Sequence, residues 1–332
     1  MKVLGKPNDT DIVMTAHASV SASCNPCIIY ENFLGFHPQE SITLLLFVCF
    51  RRSFTPSDCK YNNFSYYCTM NYALITGASS GIGLEYARQL AEKGHNLVIV
   101  SNQDEANRRV AAEMAEKYGV VALPLYADLS QAESAQQIYD WCYENNIEVN
   151  ILINNAGMLL FSTLEHTDPA RINTLINLHC TTPSHLCRLF GADMKKRGSG
   201  HILIMSSITA WTPYPTISHY AASKAYLRSF AQSLWYELRD YGVSVTVVFP
   251  SAVDTPLYDL GEKPRRWLLR LGVMTTAKKL AHKGLRAMFH HRRRCIPGLL
   301  PKLEYATCAI LPAHALIPIL KLPIVKRLLA KL

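Results

Sequence analysis

Tyr220 and Lys224 stand four residues apart in an amphipathic stretch, 218–241, so on a helix they share one face. A tyrosine hydroxyl with its ordinary pKa of about 10 is a poor acid or base at neutral pH. A neighbouring ammonium favours the phenolate and draws that value toward the working range, which makes the pair a candidate for general acid/base chemistry. Ser207 follows a short apolar run, 201–205. A hydroxyl at the end of such a strand can donate a hydrogen bond to an oxygen on which negative charge is building. Far upstream, Thr76-Gly77-Ala78-Ser79-Ser80-Gly81-Ile82-Gly83 closes one apolar run and opens an amphipathic one. Glycines there let the backbone turn tightly and approach a pyrophosphate, whose charge a helix N-terminus stabilises. Either motif alone is weak, because turns need glycine anyway and Tyr-x3-Lys arises by chance; their order along one chain gives them weight.

The elements that must position these residues alternate in kind. Apolar runs predict strands at 72–76, 96–100, 121–126, 151–154, 201–205 and 243–249. Amphipathic runs predict helices at 81–93, closed by Gly94, and at 105–118, 130–145, 169–196 and 218–241. Strands as uniformly apolar as 97–100 suit a sheet covered on both faces. Strands alternating with helices imply an α/β, doubly wound parallel sheet, the Rossmann fold. In such sheets ligands bind outside the carboxyl ends of the strands, where the glycine run and Ser207 both fall.

The glycine spacing, Gly-x3-Gly-x-Gly, differs from the commoner Gly-x-Gly-x2-Gly and resembles that of the short-chain dehydrogenase/reductase family. The resemblance extends over roughly residues 70 to 255. Asp128-Leu129 is similar to the pair that abuts the adenine. Asn154-Asn155-Ala156-Gly157 closes the fourth strand as the family's Asn-Asn-Ala-Gly does. Asn177, within Ile176-Asn177-Leu178, matches the family's catalytic asparagine, and Tyr220-x3-Lys224 begins 13 residues after Ser207. The resemblance implies a nicotinamide dinucleotide held by Gly77, Ser79, Ser80, Gly81, Ile82 and Gly83. Ser101, Asn102, Asp128, Leu129, Asn155, Ala156 and Gly157 would line the same cofactor, with Pro250, Val253 and Thr255 nearer the nicotinamide. It also implies a catalytic set of Tyr220, Lys224, Ser207 and Asn177. Tyr220 would protonate a carbonyl oxygen as hydride reaches its carbon. Lys224 would also hold the nicotinamide ribose, and Asn177 would position a water that relays protons to the lysine. Ser206 could exchange roles with Ser207, though spacing favours Ser207. Pro250-Ser251 departs from the family's usual Pro-Gly. His179, His185 and His219 form no metal-like cluster and read as structural or solvent-facing; no metal is expected.

The second strand ends Val100-Ser101-Asn102-Gln103, with no acid before Asp104. An acid there would accept from the adenosine ribose and repel a 2′-phosphate. Ser101 and Asn102 can instead donate to a phosphate, so NADP(H) is favoured over NAD(H).

The 332 residues are 49% hydrophobic and 18% charged, the composition of a folded protein, and carry a formal charge of +9. That charge is localised: residues 261–332 hold 16 Lys and Arg against 2 acids, and the rest holds 18 against 23. Three parts are therefore expected: an atypical extension at 1–69, a catalytic domain at 70–260, and a substrate lid with a basic apolar C-terminal segment at 261–332. The apolar run 41–50 is too short to span a bilayer and lacks the flanks of a signal peptide. Met70 directly precedes the first strand, and we expect it to be the principal start; the alternative is a membrane-associating or disordered extension. In the tail, Arg292-Arg293-Arg294 precedes apolar stretches at 309–320 and 324–332 that Pro312, Pro318 and Pro323 interrupt. This reads as a peripheral membrane-surface segment of a cytoplasmic protein, with docking on the body or on a partner copy, as in a homo-oligomer, as the alternative. No recognition motif for nucleic acid accompanies the charge. Residues 256–260, Trp267, Leu268, Leu269, Trp211, Pro213 and Tyr214 offer apolar surface that suits a hydrophobic ketone or alcohol, or simply packs. The sequence thus points to a carbonyl reductase or alcohol dehydrogenase on a lipophilic long-chain, sphingoid-type or steroid substrate. Its rival is a non-catalytic cofactor-binding or membrane-associated scaffold on the same fold.

Overall fold

A computed structural model describes residues 71–211, 216–254, 266, 269–270 and 274–310. The expectations for 1–69, Thr255, 256–260, Trp267, Leu268, Pro213, Tyr214 and 311–332 lie outside the described residues. In chain order the first elements are β1 (Asn71–Thr76), α1 (Gly81–Ala91), β2 (Asn96–Ser101), α2 (Asp104–Tyr118), β3 (Ala122–Tyr126), α3 (Ser134–Glu144) and β4 (Glu148–Asn154). Next come α4 (Pro169–Ile176), a π-helical segment (Asn177–Thr181), α5 (Thr182–Arg197), β5 (Gly200–Met205), α6 (Ser218–Leu238) and β6 (Val243–Val248). The described chain continues with β7 (Ala252–Asp254), β8 (Met274–Thr276), α7 (Ala277–Phe289), β9 (Arg294–Cys295) and α8 (Leu299–Ile310).

Seven strands form one parallel sheet in the order β3-β2-β1-β4-β5-β6-β9, while β7 and β8 pair separately. The order reverses between β1 and β4, and that reversal opens a crevice at their carboxyl ends. Alternate side chains of each strand enter opposite cores. Leu74, Val98, Leu152 and Ile202 meet Leu186 and Phe190 of α5 and Leu227 of α6 on one face. Ile75, Ile99, Ile153 and Leu203 meet Leu90 of α1, Met114 of α2 and Leu280 and Met288 of α7 on the other. The continuous apolar runs in the strands follow from this double cover.

Two helices differ from their sequence-based bounds. The run expected at 130–145 becomes helical only at Ser134, because Ser130 and Gln131 wrap round Asp128. Ser130 donates to the Asp128 carboxylate from its amide (3.0 Å) and its hydroxyl (2.7 Å), and the Gln131 amide adds a third bond at 3.1 Å. An aspartate turn of this kind competes with helix. The single helix expected at 169–196 is broken by the π segment at Asn177–Thr181.

The body of the fold continues past residue 260, where the sequence suggests only lid and tail. α7 is capped by Thr276, whose hydroxyl accepts from the Lys279 amide at 3.3 Å. It buries Leu280, Ala281, Leu285 and Met288 and leaves Lys278, Lys279, Lys283 and Arg286 exposed. Part of the positive charge is therefore the solvated face of a core helix. Two arginines of the triplet are held by aromatic residues: Arg293 donates to the Tyr236 hydroxyl at 2.9 Å and lies 5.3 Å from the Trp235 ring, and Arg294 donates to Tyr305 at 3.3 Å. Among the described residues no helix is long and apolar enough to cross a membrane.

α7 meets α1 at Gly284. A methyl group there would lie 2.4 Å from the hydroxyl oxygen of the fully buried Tyr86, which donates to the Met205 sulfur. Gly284→Ala is expected to cost about 1–3 kcal/mol through overpacking. Adding Tyr86→Phe removes the clashing atom, so a double-mutant cycle by denaturant unfolding should show the two changes compensating.

Candidate active site

The crevice is built by tying the loop after β1 to the loop after β4. The Thr76 hydroxyl accepts from the amides of Asn155 (2.9 Å) and Ala156 (3.1 Å), and the Asn155 side chain donates back to the Thr76 carbonyl at 2.9 Å. Gly77, at φ +65°, passes so close that a methyl group on it would lie 2.9 Å from the Ala156 Cα. Gly83 is tighter still: a methyl there would lie 2.1 Å from the Gly77 carbonyl oxygen. The glycine loop thus folds directly onto the first turn of α1. Ser80, at the head of that helix, makes no side-chain cap. The first-turn amides, Gly81, Ile82 and Gly83 among them, are left without a Ser80 cap to compete for an anion, and the glycines let the loop close tightly beneath them. These residues fit a dinucleotide pyrophosphate.

Across the crevice, α6 carries Tyr220 and Lys224. Lys224 is buried; its ammonium donates to the Met205 carbonyl at 3.2 Å and lies 5.5 Å from the centre of the Tyr220 ring. Burial pulls its pKa down to about 8, with a small opposing pull from Cys180. The two serines after β5 separate by partner. Ser206 donates to the Lys224 carbonyl at 2.8 Å and so anchors α6 to the sheet. Ser207, also buried, has its oxygen accept from the Thr209 amide at 3.2 Å. The Pro250 carbonyl accepts from the Ile208 amide at 2.9 Å, fixing the same loop from the β6 side, and Val253 is buried in β7.

Asn177 opens the π segment, and its side-chain amide donates to the Ser130 carbonyl at 2.9 Å, on the loop beyond Asp128 and Leu129. The same segment brings His179 to the tyrosine, fully buried and edge-on to the Tyr220 ring at 5.7 Å. Type and local motif single out the asparagine; the ring's partners come from distant parts of the chain, a signal the local sequence does not carry. His185 is exposed and His219 half-buried.

A family model described as short chain dehydrogenase matches residues 71–264. The chain belongs to the short-chain dehydrogenase family. It is 34% identical to 17-beta-hydroxysteroid dehydrogenase type 3 of Mus musculus over 190 residues, 56% of this chain and 61% of that one. It is 32% identical to the very-long-chain 3-oxoacyl-CoA reductase of Anas platyrhynchos over 193 residues, again 56% and 61%. The chain therefore spans 61% of the length of these relatives. Among solved structures, a short-chain dehydrogenase from Sphingobium yanoikuyae in complex with NADPH superposes with a TM-score of 0.62 at 27% identity, covering 73% of this chain and 96% of that one.

In this short-chain dehydrogenase two further residues named from sequence have partners inside the fold. Ser101 is buried, and its hydroxyl donates to Asn107 Oδ1 at 2.6 Å while accepting from the Gln103 amide. Its hydroxyl hydrogen is engaged inside the fold. Asn102 is exposed at the same strand end, and Asp104 is paired with Arg108 at 2.9 Å. Trp211 packs inward: its ring meets Phe249 at 5.6 Å and Tyr305 of α8 at 4.7 Å, under the Arg228 guanidinium at 4.2 Å. It is a joint between α8 and the core rather than free pocket lining.

Proposed function

We propose that this short-chain dehydrogenase interconverts a ketone and a secondary alcohol on a lipophilic substrate, with NADP(H) preferred to NAD(H). The observation that carries the reading is Lys224: a buried ammonium beside the Tyr220 ring, on a helix whose first turn faces the crevice. A buried cation next to a phenol favours the phenolate and so lets the hydroxyl give up and regain a proton near neutral pH. The glycine loop and the first turn of α1 would hold the pyrophosphate, and Lys224 the nicotinamide ribose. When bound, the nicotinamide supplies or accepts the hydride. Tyr220 Oη gives its proton to the carbonyl oxygen in reduction and takes it back in oxidation. The Ser207 hydroxyl donates a hydrogen bond to that oxygen as charge builds on it. Asn177, its side-chain amide anchored on the Ser130 carbonyl, would position the water that relays protons to Lys224.

The names of the two relatives, one for a steroid and one for a very-long-chain acyl substrate, support a large apolar substrate here. A panel of steroid, long-chain and sphingoid-type ketones and alcohols, assayed with both cofactors, tests this reading. Turnover confined to small polar carbonyls would contradict it. Cofactor bound without any turnover would favour a non-catalytic scaffold.

The cofactor preference now rests on Asn102 and on the pairing of Asp104. Asn102 is exposed and can donate to a 2′-phosphate. Asp104, paired with Arg108, repels it less than a lone carboxylate would. The expected result is a kcat/KM at least about tenfold higher with NADPH than with NADH, equivalent to roughly 1.4 kcal/mol. A preference for NADH would overturn it.

A further inference from the structure

We propose that His179 is a positioning residue: its imidazole ties the loop after β4 to the helix that carries Tyr220 and so sets the tyrosine's place over the crevice. The proposal rests on the reading of Tyr220 as the acid/base group. His179 lies within the π-helical segment, a local geometry that concentrates at functional sites. Its side chain is fully buried and both ring nitrogens are engaged. Nε2 accepts from the amide of Met158, the residue that follows Asn155-Ala156-Gly157, at 3.0 Å. A backbone amide can only donate, so Nε2 carries no proton and the single proton of the neutral ring sits on Nδ1. Nδ1 then donates to the Ser223 hydroxyl at 2.8 Å, and that hydroxyl donates to the Tyr220 carbonyl at 2.7 Å. A continuous chain of donors therefore runs from the cofactor-side loop, through the imidazole, to the backbone of Tyr220 itself.

The packing agrees with this strut. The ring stands edge-on to Tyr220, 73° between planes. Gly157 sits between the imidazole and the lysine: a methyl group on it would lie 3.0 Å from His179 Nε2 and 3.6 Å from Lys224 Nζ. Burial and the charge on Lys224 hold His179 neutral, its pKa well below the ordinary value, so the donor sequence is maintained at physiological pH. With both nitrogens occupied the ring is not a proton donor to substrate. It acts through Tyr220 and Met158.

The test uses the full chain with His179→Phe, His179→Gln and Ser223→Ala. Phenylalanine keeps a ring of similar size without nitrogens, and glutamine offers Oε1 to the Met158 amide. A misplaced acid/base group lowers kcat more than cofactor affinity: kcat should fall about 10- to 100-fold in His179→Phe, with the NADPH Kd, read by cofactor fluorescence, within about threefold. Ser223→Ala should lower kcat too, and the double variant should lose no more than the larger single loss, because both cut one strut. His179→Gln should recover a substantial part of kcat. A kcat in His179→Phe within about twofold of the parent, additive losses, or glutamine no better than phenylalanine would each overturn the proposal. Imidazole nitrogen shifts give a readout independent of turnover. They should report a protonated Nδ1 and a bare Nε2 that move when NADPH binds; a proton on Nε2, or no response to NADPH, overturns the strut even if no substrate is found. Absence of turnover in the parent protein counts against the proposed function alone.

Discussion

Tyr220→Phe should reduce turnover by about 100- to 10,000-fold, the range that a positioned acid/base group contributes, while leaving the NADPH Kd within about threefold. The change removes one oxygen and keeps the ring, so the edge contact to His179 and the position over Lys224 survive. What is lost is the proton given to the carbonyl oxygen. The pH profile should change in the same direction. The Lys224 ammonium, with its pKa near 8, is present below that value and lost above it. Carbonyl reduction by the parent should therefore weaken as pH rises through about 8, and the residual activity of Tyr220→Phe should lack that limb. Steady-state rates across pH, with Kd measured separately, check both parts; a variant retaining more than a tenth of parental kcat would not fit.

Gly83→Ala should be the most damaging single methyl group in the glycine loop. Its Cβ would lie 2.1 Å from the Gly77 oxygen, 2.6 Å from the Asn155 side-chain nitrogen Nδ2 and 2.7 Å from the Gly77 carbonyl carbon. None of these is the free end of a long side chain. Gly77 is pinned by its N–H, which donates to the Val100 carbonyl at 2.8 Å, and Asn155 by its side-chain amide, which donates to the Thr76 carbonyl at 2.9 Å. The loop must therefore move off α1 as a unit, away from the amides that would hold an anion. Losing one charge-assisted hydrogen bond of this kind costs roughly 1.5–3 kcal/mol, or about 10- to 100-fold in NADPH Kd. Overpacking should remove a further 1–3 kcal/mol, approximately, from unfolding stability. Calorimetric titration with NADPH and a thermal melt separate the two effects, and unchanged Kd in a folded protein would contradict the role given to the loop.

Local chemistry was the legible part. The apolar runs became strands because a sheet covered on both faces needs them, and the glycine loop, the Asn-Asn-Ala-Gly segment and Tyr220-x3-Lys224 all converge on one crevice. Contacts that depend on tertiary geometry were not legible. The motif names Asn177 but says nothing of His179, two residues on, which the π-helical turn brings against Tyr220. Ser101 has the right chemistry at the strand end, and Asn107 in the next helix accepts its hydrogen bond. The helix at Ala277–Phe289 was concealed by its own lysines and arginines, which invite a reading as basic tail. Its signal was nevertheless present: Leu280, Ala281, Gly284, Leu285 and Met288 recur at helical spacing, and Thr276 stands ready as a cap.

The fold also places the positive charge. Arg293 and Arg294 are engaged by Tyr236, Trp235 and Tyr305, and the lysines of α7 line the outside of a core helix. Charge in 274–310 is thus held in part by aromatic partners and carried in part on the solvent face of α7.

The central claim is that Tyr220, supported by Lys224 and Ser207, moves a proton to and from a ketone oxygen while the nicotinamide exchanges hydride with its carbon. The direct measurement is product formation by the parent and by Tyr220→Phe from a lipophilic ketone and NADPH deuterated on the transferring face. Parental protein should yield one molecule of secondary alcohol, deuterated at the carbinol carbon, for each NADPH oxidised, and Tyr220→Phe should bind the cofactor yet form almost none. Equal product from both proteins, or bound NADPH with no deuterated alcohol across the panel, would contradict it.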